Sequence, residues 1–113
     1  MLSRFAFCVH DPLTGITTVV GVAGVDTLSR TLDTLLMKCK ALEAEGISAF
    51  MWTGAGGSSG RSICGSIVRD MCLVDKILGV GEIEASGFFC ARPSAAQLEA
   101  MARQVLHILC PAC

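Results

Sequence analysis

The chain has 113 residues, which is enough for one domain with a single hydrophobic core and too few for two. Hydrophobic residues make up 52% of it and charged residues only 17%, a composition that excludes an intrinsically disordered protein. Lysine and arginine together number 9 against 10 aspartates and glutamates, and the basic residues are scattered along the chain. Charge therefore indicates neither a nucleic-acid partner nor an anionic membrane surface.

The sequence predicts a cytoplasmic location with reduced thiols. The N-terminal run reaches Asp11 before it builds the apolar centre of a signal peptide. The longest apolar stretch, residues 16–25, falls short of the roughly 18 to 20 residues that a membrane span needs. Seven cysteines, an odd number without an export signal, favour free thiols over a disulfide framework. The apolar surplus predicts sheet faces that are covered, or a surface buried in a homo-oligomer.

The first half of the chain predicts a hairpin, a helix and a strand. The apolar, β-prone segments 4–10 and 16–23 flank residues typical of a turn. A helix follows, with Asp26 as its N-cap and Gly46 at its C-terminal end. The short continuous apolar run 47–52 is typical of a buried strand. The apolar stripe that predicts the helix consists of Leu28, Leu32, Leu35, Cys39 and Leu42.

The second half predicts a helix, a strand and a helix. The segment 62–78 has one apolar stripe, and its charged residues lie mainly on the opposite face. The segment 82–91 alternates with period two and predicts a strand that ends before Pro93. Ser94 and Gln97 form a capping-box pattern ahead of a C-terminal helix. The stripe of the segment 62–78 is Ile63, Ile67, Met71, Val74 and Leu78, and the charged residues opposite are Arg69, Asp70, Asp75 and Lys76.

These elements predict a single α/β domain over residues 1–113 with the order β-β-α-β-α-β-α. A helix between successive strands favours parallel crossovers, whereas the initial hairpin adds an antiparallel pair. The expected architecture is therefore a mixed sheet packed against helices.

The Gly/Ser-rich connection at 53–62 leaves a predicted strand and enters a predicted helix, a place where unpaired backbone N–H groups attract anions. It resembles a phosphate-binding loop, except that Ala55 replaces the first glycine of that motif and Arg61 its lysine. The glycines also fit a purely conformational role in a tight turn, and this alternative stays open. The candidate ligand-binding residues are Gly54, Gly56, Gly57, Ser58, Ser59, Gly60, Arg61 and Ser62.

Two other clusters carry potentially reactive side chains. Cys8 and His10 share a face of the first predicted strand, where an imidazole beside a thiol can create a nucleophile, although packing is the alternative role. His107, Cys110 and Cys113 recur every third residue at the end of the last helix. Structural zinc needs four ligands and no fourth lies nearby, so a mobile tail is the alternative to a zinc or redox site. No metal or other cofactor is expected.

Three runs in the first half of the chain resemble the chemoreceptor glutamine deamidase family called CheD. They are CVHDPLTGI at 8–16, VDTLSRTLDTLLMKCKALEAEG at 25–46 and AFMWTGAGG at 49–57, and they stand in the order that this family shows. The resemblance implies hydrolysis of a receptor glutamine amide through a cysteine nucleophile and a histidine base. Aligning the Asp11-Pro12 turn with that of the family places Arg4 at the position of the nucleophile and Gly21 at that of the histidine.

The leading functional prediction is therefore a small cytoplasmic binding or regulatory protein, a non-catalytic or repurposed relative of the chemotaxis deamidases. It is expected to form a homo-oligomer and to bind a protein partner or a small anionic ligand, with no nucleic acid and no membrane among its partners. One alternative is a cysteine-dependent amidohydrolase that uses Cys8 and His10. The other is a binder of phosphate or nucleotide ligands at residues 53–62.

Overall fold

Strands and helices alternate in a computed structural model that describes residues 15–24, 29–54, 61–87 and 91–110. This alternation confirms the α/β class. The first strand of the predicted hairpin, at 4–10, lies outside the described residues. The elements are β1 (Thr18–Gly21), α1 (Leu32–Ala44), β2 (Ser48–Thr53), α2 (Ile67–Leu73), β3 (Ile77–Val80) and α3 (Ala95–Leu109).

The three described strands form one sheet in the order β1-β2-β3, and both pairings are parallel. Thr18 pairs with Ser48 at the start of the ladder, and a register shift separates the pair Met51 and Ile77 from the pair Trp52 and Gly79. The Thr53 side chain lies on the same face of β2 as Met51 and contacts Asp70 of α2, so α2 lies on the face of the sheet that α1 covers. The antiparallel pairing predicted for the hairpin involves residues outside the described part.

The core lies between α1 and the face of the sheet that it covers. Along β2, burial alternates with period two, so that Ala49, Met51 and Thr53 point inward. The predicted apolar stripe of α1 is confirmed over its described members, since Leu35 and Cys39 are almost fully buried. The cluster of buried hydrophobic residues is Ala23, Leu32, Leu35, Cys39, Leu42, Ala49, Met51 and Ile77.

Helix α1 begins later than predicted. Its N-cap is Thr31, whose extended backbone precedes Leu32 and whose hydroxyl accepts a hydrogen bond from the Thr34 amide at 3.4 Å. Asp26, the predicted cap, lies outside the described residues. The predicted end is confirmed, because Gly46 follows the last turn with φ +97°, the left-handed conformation that favours glycine there.

The helix predicted at 62–78 is wrong at both ends. Gly65 has φ +94°, which is not helical, and α2 starts only after its N-cap Ser66, whose hydroxyl accepts from the Arg69 amide at 3.2 Å. The backbone at Val74 is extended and ends the helix. Residues 77–80 form the strand β3. The predicted helix therefore combined a short helix with part of a strand, because the apolar stripe continues from one into the other.

The strand predicted at 82–91 is also wrong over its described residues, 82–87 and 91, which are irregular. The place beside β2 is taken by β3 instead: the Met51 amide donates to the Lys76 carbonyl at 2.8 Å, and the Gly81 amide to the Thr53 carbonyl at 2.9 Å. Without a ladder partner, period two alone does not make a strand.

Helix α3 begins as predicted. The Ser94 hydroxyl accepts from the Gln97 amide at 3.2 Å, and the Gln97 side chain accepts from the Ser94 amide at 2.8 Å, which completes a capping box. Met101 is the buried residue of this helix, whereas Leu106 and Leu109 are exposed. Among the described helices, none is long and apolar enough to cross a membrane.

Candidate functional site

The carboxyl ends of the three parallel strands meet at one edge of the sheet. Gly21, Thr53 and Val80 are the last residues of β1, β2 and β3. Ligands of α/β sheets bind at this end of the strands, because the connections to the following helices converge there. We call the described residues that follow the strands the carboxyl edge: Val22–Gly24, Gly54, Arg61, Ser62 and Gly81.

Three of the predicted ligand-binding residues, Gly54, Arg61 and Ser62, belong to the carboxyl edge. The other five lie in the segment 55–60, outside the described residues. The two ends of the connection are close, since the Gly54 amide donates to the Arg61 carbonyl at 3.0 Å. The prediction that this connection binds an anion stays a prediction.

Gly54 lies where a side chain would clash with its neighbours. It is buried, and its φ of +79° is one that L side chains rarely adopt. A Cβ added there would lie 2.8 Å from Cγ1 of Val80 and 3.2 Å from Cγ2 of Ile67. The close approach of the β2 end to β3 and α2 therefore depends on this glycine, so at least this glycine has a conformational role.

Arg61 joins the connections that follow β1 and β2. Its side chain is half-buried, and Nη1 donates to the Arg30 carbonyl at 2.6 Å while Nη2 donates to the Gly24 carbonyl at 3.2 Å. The sequence pattern placed Arg61 at the position of a phosphate-binding lysine. In the structure these guanidinium donors hold backbone carbonyls, which stabilises the carboxyl edge itself.

The residue that sequence reasoning missed is Asp70. It was predicted on the charged, exposed face of the second helix, but its side chain is fully buried. Its Oδ2 accepts from the Thr53 hydroxyl at 2.5 Å, and its Oδ1 accepts from the amides of Ile63 at 3.0 Å and Cys64 at 2.7 Å. A signal was present, because Asp70 lies three residues after Ile67 and four before Val74, within the apolar stripe.

The surroundings of the described thiols near the sheet, Cys39 and Cys64, oppose ionisation. Burial, with the charge of Glu43 adding to it, raises the pKa of the Cys39 thiol, whose Sγ contacts the Phe50 carbonyl at 3.4 Å. Desolvation also raises the pKa of the Cys64 thiol, and the nearby carboxylate of Asp70 raises it further. A reactive cysteine needs the opposite shift, toward the thiolate.

The remaining predicted clusters are only partly described. Cys8 and His10 lie outside the described residues, so the dyad and the CheD resemblance that it would serve stay predictions. His107 and Cys110 are exposed at the end of α3, and Cys113 lies outside the described residues. Within the described ranges, no three His, Cys, Asp or Glu side chains are grouped so that they could hold a metal ion.

No model of a known protein family matches the chain. Among solved structures, it is similar to a β-aspartyl dipeptidase from the thermophilic, keratin-degrading Fervidobacterium islandicum AW-1, with a TM-score of 0.79 and 37% sequence identity over 84% of this chain. The same values hold for that enzyme in complex with the dipeptide β-Asp-Leu. The chain spans about a quarter of the length of the enzyme, since the match covers 26% of it.

Proposed function

We propose that this chain takes part in the binding and hydrolysis of β-aspartyl dipeptides, with the carboxyl edge as the surface that faces the ligand. The observation that carries the proposal is the 37% identity to a β-aspartyl dipeptidase over 84% of the chain, together with the TM-score of 0.79. Likeness at that level of identity reaches beyond a shared architecture.

The chemistry of the ligand is compatible with this edge. In a β-aspartyl dipeptide the peptide bond runs through the aspartyl side chain, so the α-amino group and two carboxylates stay charged. Carboxylates bind to backbone N–H groups presented by glycine-rich connections and by residues before a helix. The carboxyl edge adjoins such a connection, and the preference for a small anionic ligand predicted from the sequence agrees with a dipeptide that carries two carboxylates and a net negative charge.

A binding role without turnover is the second candidate, and it corresponds to the binding or regulatory protein predicted from the sequence. The elevated pKa values of Cys39 and Cys64 favour it over thiol catalysis by the described cysteines. Both candidates need the same ligand surface and differ in whether the peptide bond is broken.

The test combines calorimetry with product analysis on the purified chain. β-Asp-Leu should bind, α-Asp-Leu should bind at least about tenfold more weakly, and chromatography should show free aspartate and leucine only from the β-linked peptide. Binding without release of amino acids would favour the second candidate. Absence of binding to either peptide would contradict both.

A matched pair of variants locates the ligand. Ser62→Glu places a carboxylate at the carboxyl edge and should weaken β-Asp-Leu binding by about tenfold through like-charge repulsion. Ser48→Glu places the same charge at the exposed start of β2, at the opposite edge, and should leave the affinity unchanged. Equal effects of the two substitutions would exclude the carboxyl edge as the binding surface.

A further inference from the structure

Asp70 is a buried carboxylate that accepts hydrogen bonds from three described residues. The ion pairs among the described residues join Lys76 to Glu43 and Arg103 to Glu99, and neither involves Asp70. Its oxygens instead accept from one hydroxyl and two backbone amides. Burying a carboxylate costs free energy unless hydrogen-bond donors surround it, and these three donors supply that compensation.

These donors come from both ends of the connection between β2 and α2. Thr53 is the last residue of β2, whereas Ile63 and Cys64 come just before α2. Asp70 therefore ties the end of the strand to the segment that leads into the helix. The Thr53 hydroxyl also lies 3.4 Å from the Arg61 carbonyl, which accepts from the Gly54 amide.

The same hydrogen-bonded path continues to the neighbouring connection. Arg61, held at its backbone by Gly54, donates through its guanidinium to the carbonyls of Gly24 and Arg30. Gly24 follows β1, so the path runs from α2 across the carboxyl edge to the connection after β1. A displacement of Asp70 would thus move groups that the side chain itself does not touch.

We infer that Asp70 is a positioning residue: through Thr53 and the amides of Ile63 and Cys64, it sets the geometry of the carboxyl edge, including Arg61. The identity of the ligand in this inference rests on the proposed function, whereas the effect of Asp70 on the carboxyl edge does not. Asp70 itself is fully buried and would act on that ligand through the backbone around it.

Substitution of Thr53 perturbs the hydrogen bond to Asp70 most selectively. Thr53→Val removes the hydroxyl that donates to Asp70 and keeps the shape of the side chain, whereas Thr53→Ser restores the hydroxyl. Leu42→Ala on α1 is the control for lost stability, because Leu42 is buried in the core away from this path. If the contact between Thr53 and Asp70 only stabilised the fold, Thr53→Val and Leu42→Ala would change amide exchange and ligand affinity in the same way.

Two measurements on these variants test the inference. In Thr53→Val, amide hydrogen exchange at Ile63 and Cys64 should accelerate by at least about tenfold relative to the Leu42→Ala control, and the affinity for β-Asp-Leu should fall by about tenfold. Thr53→Ser should return both toward the wild-type values. Exchange and affinity that change equally in Thr53→Val and Leu42→Ala would overturn the inference.

The exchange measurement needs no ligand and so separates the two claims. If the wild-type chain binds no β-Asp-Leu, the proposed function fails, and the role of Asp70 is decided by exchange alone. Selective acceleration at Ile63 and Cys64 would then still support it, and uniform acceleration would refute it.

Discussion

Gly54→Ala should be among the most destabilising single-methyl substitutions in the described part of the chain. Two costs add at this position. The φ of +79° is strained for any residue with a Cβ, and the new methyl would stand 2.8 Å from Cγ1 of Val80 and 3.2 Å from Cγ2 of Ile67. Val80 ends β3 and Ile67 opens α2, so relief of the clash requires a new rotamer of these side chains or a shift of their elements.

The two costs can be estimated separately. A left-handed backbone costs a residue with a Cβ about 1–2 kcal/mol, and overpacking of a well-packed site costs about 1–3 kcal/mol, so the sum is about 2–5 kcal/mol. Gly46→Ala is the matched control, because Gly46 has φ +97° and nothing within 4 Å of the added Cβ. Gly46→Ala should lose only the part of the free energy of unfolding that comes from the left-handed backbone, about 1–2 kcal/mol.

Urea denaturation of both variants and the wild type gives the free energies of unfolding. Gly54→Ala should exceed Gly46→Ala by about 1–3 kcal/mol. Adding Val80→Ala to Gly54→Ala should recover part of that excess, since the two sites are in contact and their effects are not additive. Equal losses in the two glycine variants would refute the packing argument at the carboxyl edge.

Three further predictions concern other parts of the fold. Gly79→Ala puts a Cβ 2.7 Å from Cζ3 of Trp52 and should cost about 1–3 kcal/mol while shifting the fluorescence of the only tryptophan; an unchanged spectrum would contradict it. Burial raises the pKa of the Cys39 thiol above its ordinary value of 9.0. The stability that the neutral thiol contributes is therefore present below pH 9.0 and is lost as the pH rises through the pKa of the folded state. In alkaline denaturation curves, the stability of Cys39→Ala should decline less than that of the wild type. Ser94→Ala removes the hydroxyl that accepts from the Gln97 amide and should cost about 1 kcal/mol in urea denaturation, with no loss if the cap is unimportant.

Local patterns predicted those elements whose signals are complete within a few residues. The stripe of α1, the end of α1 at Gly46 and the capping box of Ser94 with Gln97 are all short-range features, and the structure confirms them. Each depends on helical spacing or on a side chain that reaches a backbone group three residues away.

The errors arose where a partner distant in sequence decides the structure. The stripe through the segment 62–78 continues across the real end of α2, and only the pairing of β3 with β2 shows that residues 77–80 are a strand. Likewise, the role of Asp70 depends on Thr53, 17 residues earlier. Asp70 lies within the apolar stripe, but an ionised side chain is normally exposed, so its position alone did not predict that it is buried.

A nuclear magnetic resonance titration of the isotope-labelled chain with β-Asp-Leu, repeated with α-Asp-Leu, tests most directly whether the ligand binds at the carboxyl edge. We expect the β-linked dipeptide to shift the amide signals of Gly24, Gly54 and Gly81 at the carboxyl edge, to leave Ser48 and Ile77 at the opposite edge unchanged, and to act more strongly than its α-linked isomer. Shifts centred on the opposite edge, equal responses to the two isomers, or no response at all would contradict this expectation.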